Sequence, residues 1–131
     1  MAKALEKVMV LELTQVLAGP FAVTMLADFG ADVIQIELPG GGFYQNRKRS
    51  GLSVAENRRM SWGKNRNRRS LTLNLRSPKG KDIFLELVKK ADVVVQNFSP
   101  GTMEKLGLGY DRLRESNPEI IYCAMSGFGQ T

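Results

Sequence analysis

Apolar residues along this chain fall in short blocks separated by polar, glycine-bearing turns. Val8-Met-Val-Leu-Glu-Leu13 is a near-continuous apolar run of strand length, the pattern of a strand covered on both faces. The turn Thr14-Gln-Val-Leu-Ala-Gly19 follows. A helix is then opened by Pro20, whose missing N–H goes unused in a first turn, and closed by Gly30. Asp32-Val-Ile-Gln-Ile-Glu37 predicts a second strand. From Pro39-Gly-Gly-Gly42 through Asn67 the pattern loses its periodicity, and stretches that long are usually functional or disordered. Leu71-Thr-Leu-Asn-Leu75 alternates as a strand. Ser77-Pro78 starts a helix whose Ile83, Phe84, Leu87 and Val88 share one face, and Lys89-Lys90 sit at its C-terminal end, where cations suit the helix dipole. The strand Asp92–Gln96, short helical pieces at Thr102–Leu106 and Asp111–Ser116, and the strand Ile120–Met125 complete the order.

Strands alternating with helices specify an α/β fold, a parallel sheet with helices on both faces. The phrases Ala31-Asp-Val-Ile-Gln35 and Ala91-Asp-Val-Val-Val-Gln96 resemble one another as two helix-to-strand turns, not as a repeat architecture. Ser126-Gly-Phe-Gly-Gln-Thr131 ends in a loop with no closing helix, so the domain reads as incomplete.

At 131 residues, 43% apolar and 24% charged, the chain has the make-up of one globular domain. Its single cysteine, Cys123, lies in the apolar run Ile120–Met125, which excludes an internal disulfide and predicts a packed thiol in a reducing compartment, the cytoplasm by default. No stretch has the length of a membrane span, and Met1-Ala-Lys-Ala-Leu-Glu-Lys7 lacks the apolar core of a signal peptide. The net charge of +6 is concentrated: Arg47 to Arg69 holds nine Lys/Arg against one acid, Glu56, and the remainder is −2. A focused patch of that kind attracts a polyanion, whether nucleic acid, an acidic membrane or a phosphorylated ligand.

Ligands of open α/β sheets bind beyond the carboxyl ends of the strands. Three features are expected there: the turn Thr14–Gly19 with its backbone N–H groups, the basic stretch Arg66–Arg69 leading into Leu73 and Arg76, and Asn97-Phe98 just before the Pro100-Gly101 turn. Neither a dinucleotide fingerprint nor a P-loop is present. With no histidine and one cysteine, a Ser-His-Asp or Cys-His centre is excluded within these residues, and no metal site is expected. Asp28, Asp32, Asp92 and Asp111 sit in helix or turn contexts that suit aspartate structurally, and Met25, Met103 and Met125 read as packing residues.

Leu17-Ala-Gly-Pro20, Gly30-Ala-Asp-Val-Ile-Gln-Ile-Glu37, Asn65-Arg-Asn-Arg-Arg-Ser-Leu-Thr-Leu-Asn-Leu75 with Ser77-Pro-Lys-Gly80, Asn97-Phe-Ser-Pro-Gly101, Leu106-Gly-Leu-Gly-Tyr110 and Ser126-Gly-Phe-Gly-Gln-Thr131 together resemble the amino-terminal part of the class III CoA-transferases, the CaiB/BaiF family. The resemblance covers nearly the whole chain. It implies that residues 1–131 are the N-terminal part of a CoA-binding, Rossmann-like large domain, with a small domain and the C-terminal remainder absent. It also implies a homodimer of two interlocked chains. The implied activity is transfer of CoA between an acyl-CoA and a carboxylic acid through a covalent aspartyl intermediate. That aspartate lies beyond Thr131, so no catalytic residue is expected here and residues 1–131 alone would be inactive. CoA esters are substrates, and no permanently bound cofactor is implied. By similarity to the family's formyl-CoA transferases, CoA would contact Gln15, Val16, Leu17, Ala18, Leu73, Arg76, Asn97, Phe98, Lys105 and Leu106. Those enzymes carry His and Gln at the positions of Gln15 and Leu17, and Arg at those of Leu38 and Lys105, departures that put oxalate specificity in question.

Within the same family the alternative is an α-methylacyl-CoA racemase. From another class, the Arg47–Arg69 loop could bind nucleic acid with Phe43, Tyr44 and Trp62 as stacking platforms. The cofactor's phosphates already account for the patch, so neither nucleic acid nor membrane is expected as a partner.

Overall fold

Every strand pairing in the computed structural model, which describes residues 2–39 and 65–130, is parallel. The strands are β1 (Met9–Leu13), β2 (Asp32–Glu37), β3 (Arg68–Thr72), β4 (Val93–Gln96) and β5 (Ile121–Ala124), and the sheet order is β3-β2-β1-β4-β5. Four helices accompany them among the described residues: α1 (Ala18–Asp28), α2 (Pro78–Val88), α3 (Thr102–Lys105) and α4 (Tyr110–Ser116). The chain builds outward from β1 to β3, then returns to lay β4 against the other side of β1. The strand order therefore reverses between β1 and β4, the kind of switch point at which open α/β sheets bind ligands in the crevice beyond the strands' carboxyl ends.

Both faces of the central strands are covered, as their apolar runs require. Val10, Val33 and Val95 pack beneath Val23 and Ala27 of α1 on one face. On the other, Leu11, Leu13, Ile34, Ile36 and Val94 meet Phe84 and Val88 of α2, Met103 of α3 and Leu113 of α4. Ser77 caps α2 by accepting the Gly80 N–H at 3.1 Å, its hydroxyl donates to the Asn74 carbonyl at 2.9 Å, and Pro78 takes the first helical position. Ser77→Ala is expected to cost about 1 kcal/mol, the usual worth of such a cap, read from the midpoint of a urea titration at unchanged slope.

Several boundaries differ from the pattern-based expectation. Pro20 is the third residue of α1, not the first, a position still free of an intrahelical N–H requirement. The third strand runs Arg68–Thr72 instead of Leu71–Leu75. Its ladder with β2 begins at Arg68 opposite Val33, and Leu73 adds one further bond to the Glu37 carbonyl at 2.8 Å. Leu73 and Leu75 then enter the core as the chain turns toward α2. Cys123 is exposed, contrary to the packed thiol expected, because β5 is an edge strand of the sheet and its residues alternate between exposed and half-buried.

Candidate functional site

The crevice between β1 and β4 is tied shut at its base by one side chain. In register Leu13 stands opposite Gln96, so Asn97 follows just past the paired ends of both strands. Its carboxamide oxygen accepts the Gln15 N–H at 2.7 Å, and its Nδ2 donates to the Gln15 carbonyl, also at 2.7 Å. Asn97 thereby extends the ladder by one step, its side chain taking the place of a backbone. Immediately beyond, Val16 adopts φ +70°, the left-handed region, which a β-branched residue rarely occupies. Val16 and Leu17 stand out at the rim, 44% and 55% exposed. Ala18 is exposed at the start of α1, and Gln15 is half-buried. Thr14 lies against Gly19, where an added Cβ would sit 2.5 Å from the Thr14 Cβ. Only glycine lets the first turn of α1 come this close to the strand end.

A buried polar cluster lies under the same turn. Glu12, on the central strand, is fully buried and pairs with the Arg68 guanidinium at 2.5 Å. The Thr14 hydroxyl also donates to Glu12. Arg68 crosses above β2 and donates in addition to the Pro20 carbonyl and the Thr24 hydroxyl of α1, and Thr24 itself donates to the Pro20 carbonyl at 2.7 Å. One ion pair thus joins the outermost strand, the central strand and the helix that opens at the crevice. Burial pushes the Glu12 carboxyl above its ordinary value despite the bonds from Thr14 and Arg68. Burial likewise pushes the Arg68 guanidinium down.

This cluster overturns the expectation that Arg66–Arg69 supplies cations to the ligand. All three arginines serve carboxylates of the chain itself: Arg66 with Asp28 at 2.5 Å, Arg68 with Glu12, and Arg69 with Asp32 at 2.5 Å. Asp32 and Arg68 are the first residues of their strands, so this stretch belongs to the amino edge of the sheet, opposite the crevice. The Arg66 and Asn67 bonds hold the Asp28 carboxyl below its usual range. Asp92 accepts the Met9 N–H at 2.7 Å, which agrees with a structural role. Arg47, Lys48, Arg49, Arg58, Arg59 and Lys64, with Phe43, Tyr44 and Trp62, lie outside the described residues.

At the carboxyl edge itself, Leu73 follows the end of β3, two strands from β1 or about 10 Å at ordinary strand spacing. Its side chain is buried, and its N–H is taken by the Glu37 carbonyl. Arg76 is exposed on the turn that Asn74 shapes by accepting the Arg76 N–H at 3.0 Å. On the other side of the crevice Phe98 is half-buried against the core, and its N–H is held by the buried Gln96 side chain at 2.7 Å. Lys105 is exposed and Leu106 half-buried at the end of α3. Arg76 and Lys105 make no ion pair among the described residues. The structure thus joins Gln15 directly to Asn97, and leaves Arg76, after β3, and Lys105, at the end of α3, exposed.

Sequence reasoning missed Glu12, Gln96 and the Val16 backbone. The one available signal was the polar residue that interrupts each central strand, Glu12 in β1 and Gln96 closing β4. The Val16 conformation has no local signature.

Residues 5–131 match the family model CoA-transferase family III. The chain is 47% identical over 131 residues to a succinyl-CoA:mesaconate CoA-transferase of Haloarcula marismortui, covering 96% of this chain and 32% of that protein. It is 44% identical over 129 residues to the human succinyl-CoA:glutarate CoA-transferase, covering 98% of this chain and 29% of that one. A crystal structure of a CaiB/BaiF family protein from Brucella suis superposes with a TM-score of 0.86 at 37% identity, covering all of this chain and 35% of its own. The chain spans about a third of the length of the relatives it matches. A parallel 3-2-1-4-5 sheet, a tied crevice at its switch point and this match over residues 5–131 place the chain in CoA-transferase family III.

Proposed function

We propose that this chain forms the CoA-ester-binding part of an enzyme that transfers CoA from an acyl-CoA thioester to a carboxylic acid. Family membership over residues 5–131 carries the reading, and a topological switch point between β1 and β4, with the exposed cations Arg76 after β3 and Lys105 in α3, supports it. In this reading Gln15 to Ala18, the Leu73 backbone, Arg76, Phe98, Lys105 and Leu106 line the path of the CoA ester, with Asn97 at its base. An aspartate outside residues 1–131 attacks the thioester carbonyl and expels CoA as thiolate, giving a mixed anhydride. The thiolate returns to the enzyme's acyl carbon and releases the first acid. The acceptor carboxylate then repeats the exchange in the opposite sense. The named relatives, which act on succinyl-CoA with mesaconate or glutarate, make succinyl-CoA the first donor to test. Two interlocked copies would form the working enzyme.

The test is to incubate the intact protein with succinyl-CoA and a panel of dicarboxylic acids and follow new CoA esters by mass. Transfer to at least one acid is expected. No transfer, together with solvent deuterium entering the α-position of a 2-methylacyl-CoA, would replace this reading by racemisation.

Arg76 gives a sharper expectation. Arg76→Glu should raise KM for CoA esters on the order of 10- to 100-fold, the worth of one charge-assisted contact. If the contact is to the 3′-phosphate, dephospho-CoA esters lose much less. Equal losses for both ligands would move Arg76 to the pyrophosphate or to a structural role.

A further inference from the structure

Asn97 has the composition of a ligand-binding residue, a carboxamide at the mouth of a crevice, yet its geometry is directed inward. Both of its polar atoms are within 2.7 Å of one residue, Gln15, separated from it by 82 positions in the chain. Each atom meets the complementary backbone group, so the side chain satisfies the last N–H and carbonyl of the β1 ladder that β4 no longer reaches. The neighbouring residue on the strand side is fixed as well. Thr14 is buried, donates to Glu12 and is backed by Gly19. With Thr14 and Gln15 both held, and α1 beginning at Ala18, the chain has only Val16 and Leu17 in which to turn. Val16 takes a positive φ of 70° that its branched Cβ disfavours, and Leu17 takes φ −130° and ψ −64°. A conformation of that kind persists only where the surroundings over-determine it.

We propose that Asn97 is a positioning residue: its carboxamide holds Gln15 so that Val16 stays in the left-handed conformation, and the turn so held presents Val16 and Leu17 to the acyl-CoA. The inference rests on the proposed function for the identity of the ligand, but the clamp itself does not depend on it. It assigns Asn97 a role distinct from direct contact with CoA. A ligand contact and a clamp both lose affinity when Asn97 is removed, but they differ in what restores it. Glycine adopts positive φ without the Cβ penalty, so a turn bearing Val16→Gly no longer needs to be forced into shape.

The experiment is a double-mutant cycle on the intact protein with two readouts. Succinyl-CoA affinity is measured by calorimetry without an acceptor acid. Amide hydrogen exchange over residues 14–18 is measured without any ligand. Asn97→Ala should weaken affinity about tenfold in the Val16 background and by less than threefold in the Val16→Gly background. It should also speed exchange at Gln15 at least tenfold while leaving β2 and α2 unchanged. An affinity loss of the same size in both backgrounds would make Asn97 a direct ligand contact and overturn the proposal, as would unchanged exchange at Gln15. If Asn97→Ala does not fold, Asn97→Asp serves in its place, since it keeps the acceptor for the Gln15 N–H and sets an acceptor against the Gln15 carbonyl. If the parent protein binds no CoA ester, the proposed function fails, and the exchange readout still decides the clamp.

Discussion

Arg68→Met is expected to destabilise the folded protein by about 3–5 kcal/mol, the cost of stranding one partner of a buried ion pair. The methionine fills the space of the guanidinium stem but leaves the Glu12 carboxylate buried, with the Thr14 hydroxyl still donating to it and its countercharge gone. Adding Glu12→Gln should recover most of the loss, because the carboxamide keeps an acceptor for the Thr14 hydroxyl and carries no charge. Thr24 still serves the Pro20 carbonyl in the double variant. The pH dependence has a definite sign. Burial already holds the Glu12 carboxyl above its ordinary 4.5, and removing Arg68 takes away attractions that pull it back. The folded state of Arg68→Met therefore binds the Glu12 proton more tightly than the unfolded state does. Its deficit relative to the parent is largest at neutral pH, shrinks as the pH falls through the folded-state pKa, and levels off once the pH is below the unfolded value. Denaturant titrations at about pH 8 and about pH 5 check this, and an equal deficit at both would remove the buried-charge explanation.

That ion pair also marks the limit of what hydrophobic patterning can convey. Alternation at Leu71, Leu73 and Leu75 correctly signalled burial, and all but the half-buried Leu71 are in the core. It misplaced the strand because pairing depends on backbone register with β2, and the residues that begin the ladder, Arg68 and Arg69, look solvated by type. An arginine can start a buried strand face only if a carboxylate waits two strands away, and Glu12 is 56 residues distant in sequence. Gly30 was legible as a helix stop because its reason is local: it follows the C-cap Phe29 with φ +107°. Asn97 could be singled out from the sequence because strand ends are where open α/β sheets bind ligands. Its pairing with Gln15 could not, since the bond depends on β4 lying beside β1, a fact of topology. Cys123 failed for a related reason: an apolar neighbourhood predicts burial only when both faces of the strand are covered, and β5 is an edge strand whose residues alternate between exposed and half-buried.

Gly80→Ala is the second substitution with a large expected effect, and it reaches the crevice from the opposite side. Gly80 is buried in the first turn of α2, and its φ lies outside the left-handed region, so alanine would suit the backbone and raise helix propensity. Space decides against it. A Cβ there would collide with the Asn74 carbonyl oxygen and lie 2.7 Å from the carbonyl carbon, with the Ser77 hydroxyl at 3.0 Å. Two of these atoms are backbone, so no rotamer change can relieve the contact. The turn from Asn74 to Ser77 must move, and with it the Ser77 cap and the Asn74 bond that shapes the approach to Arg76. Overpacking of this kind costs about 1–3 kcal/mol and occasionally more, against a propensity gain of roughly 0.8–1.0 kcal/mol. Destabilisation should therefore prevail, and under the proposed function, with Arg76 on the path of the CoA ester, it should be accompanied by a rise in KM for CoA esters. Gly127→Ala, where nothing lies within 4 Å and φ is not positive, provides the comparison and should stay within about 0.5 kcal/mol of the parent. Thermal unfolding of the two variants decides the matter. A Gly80→Ala protein as stable as the parent would mean that α2 can slide away from Asn74 freely, and the first turn of α2 would then not be what fixes Arg76 at the edge of the sheet.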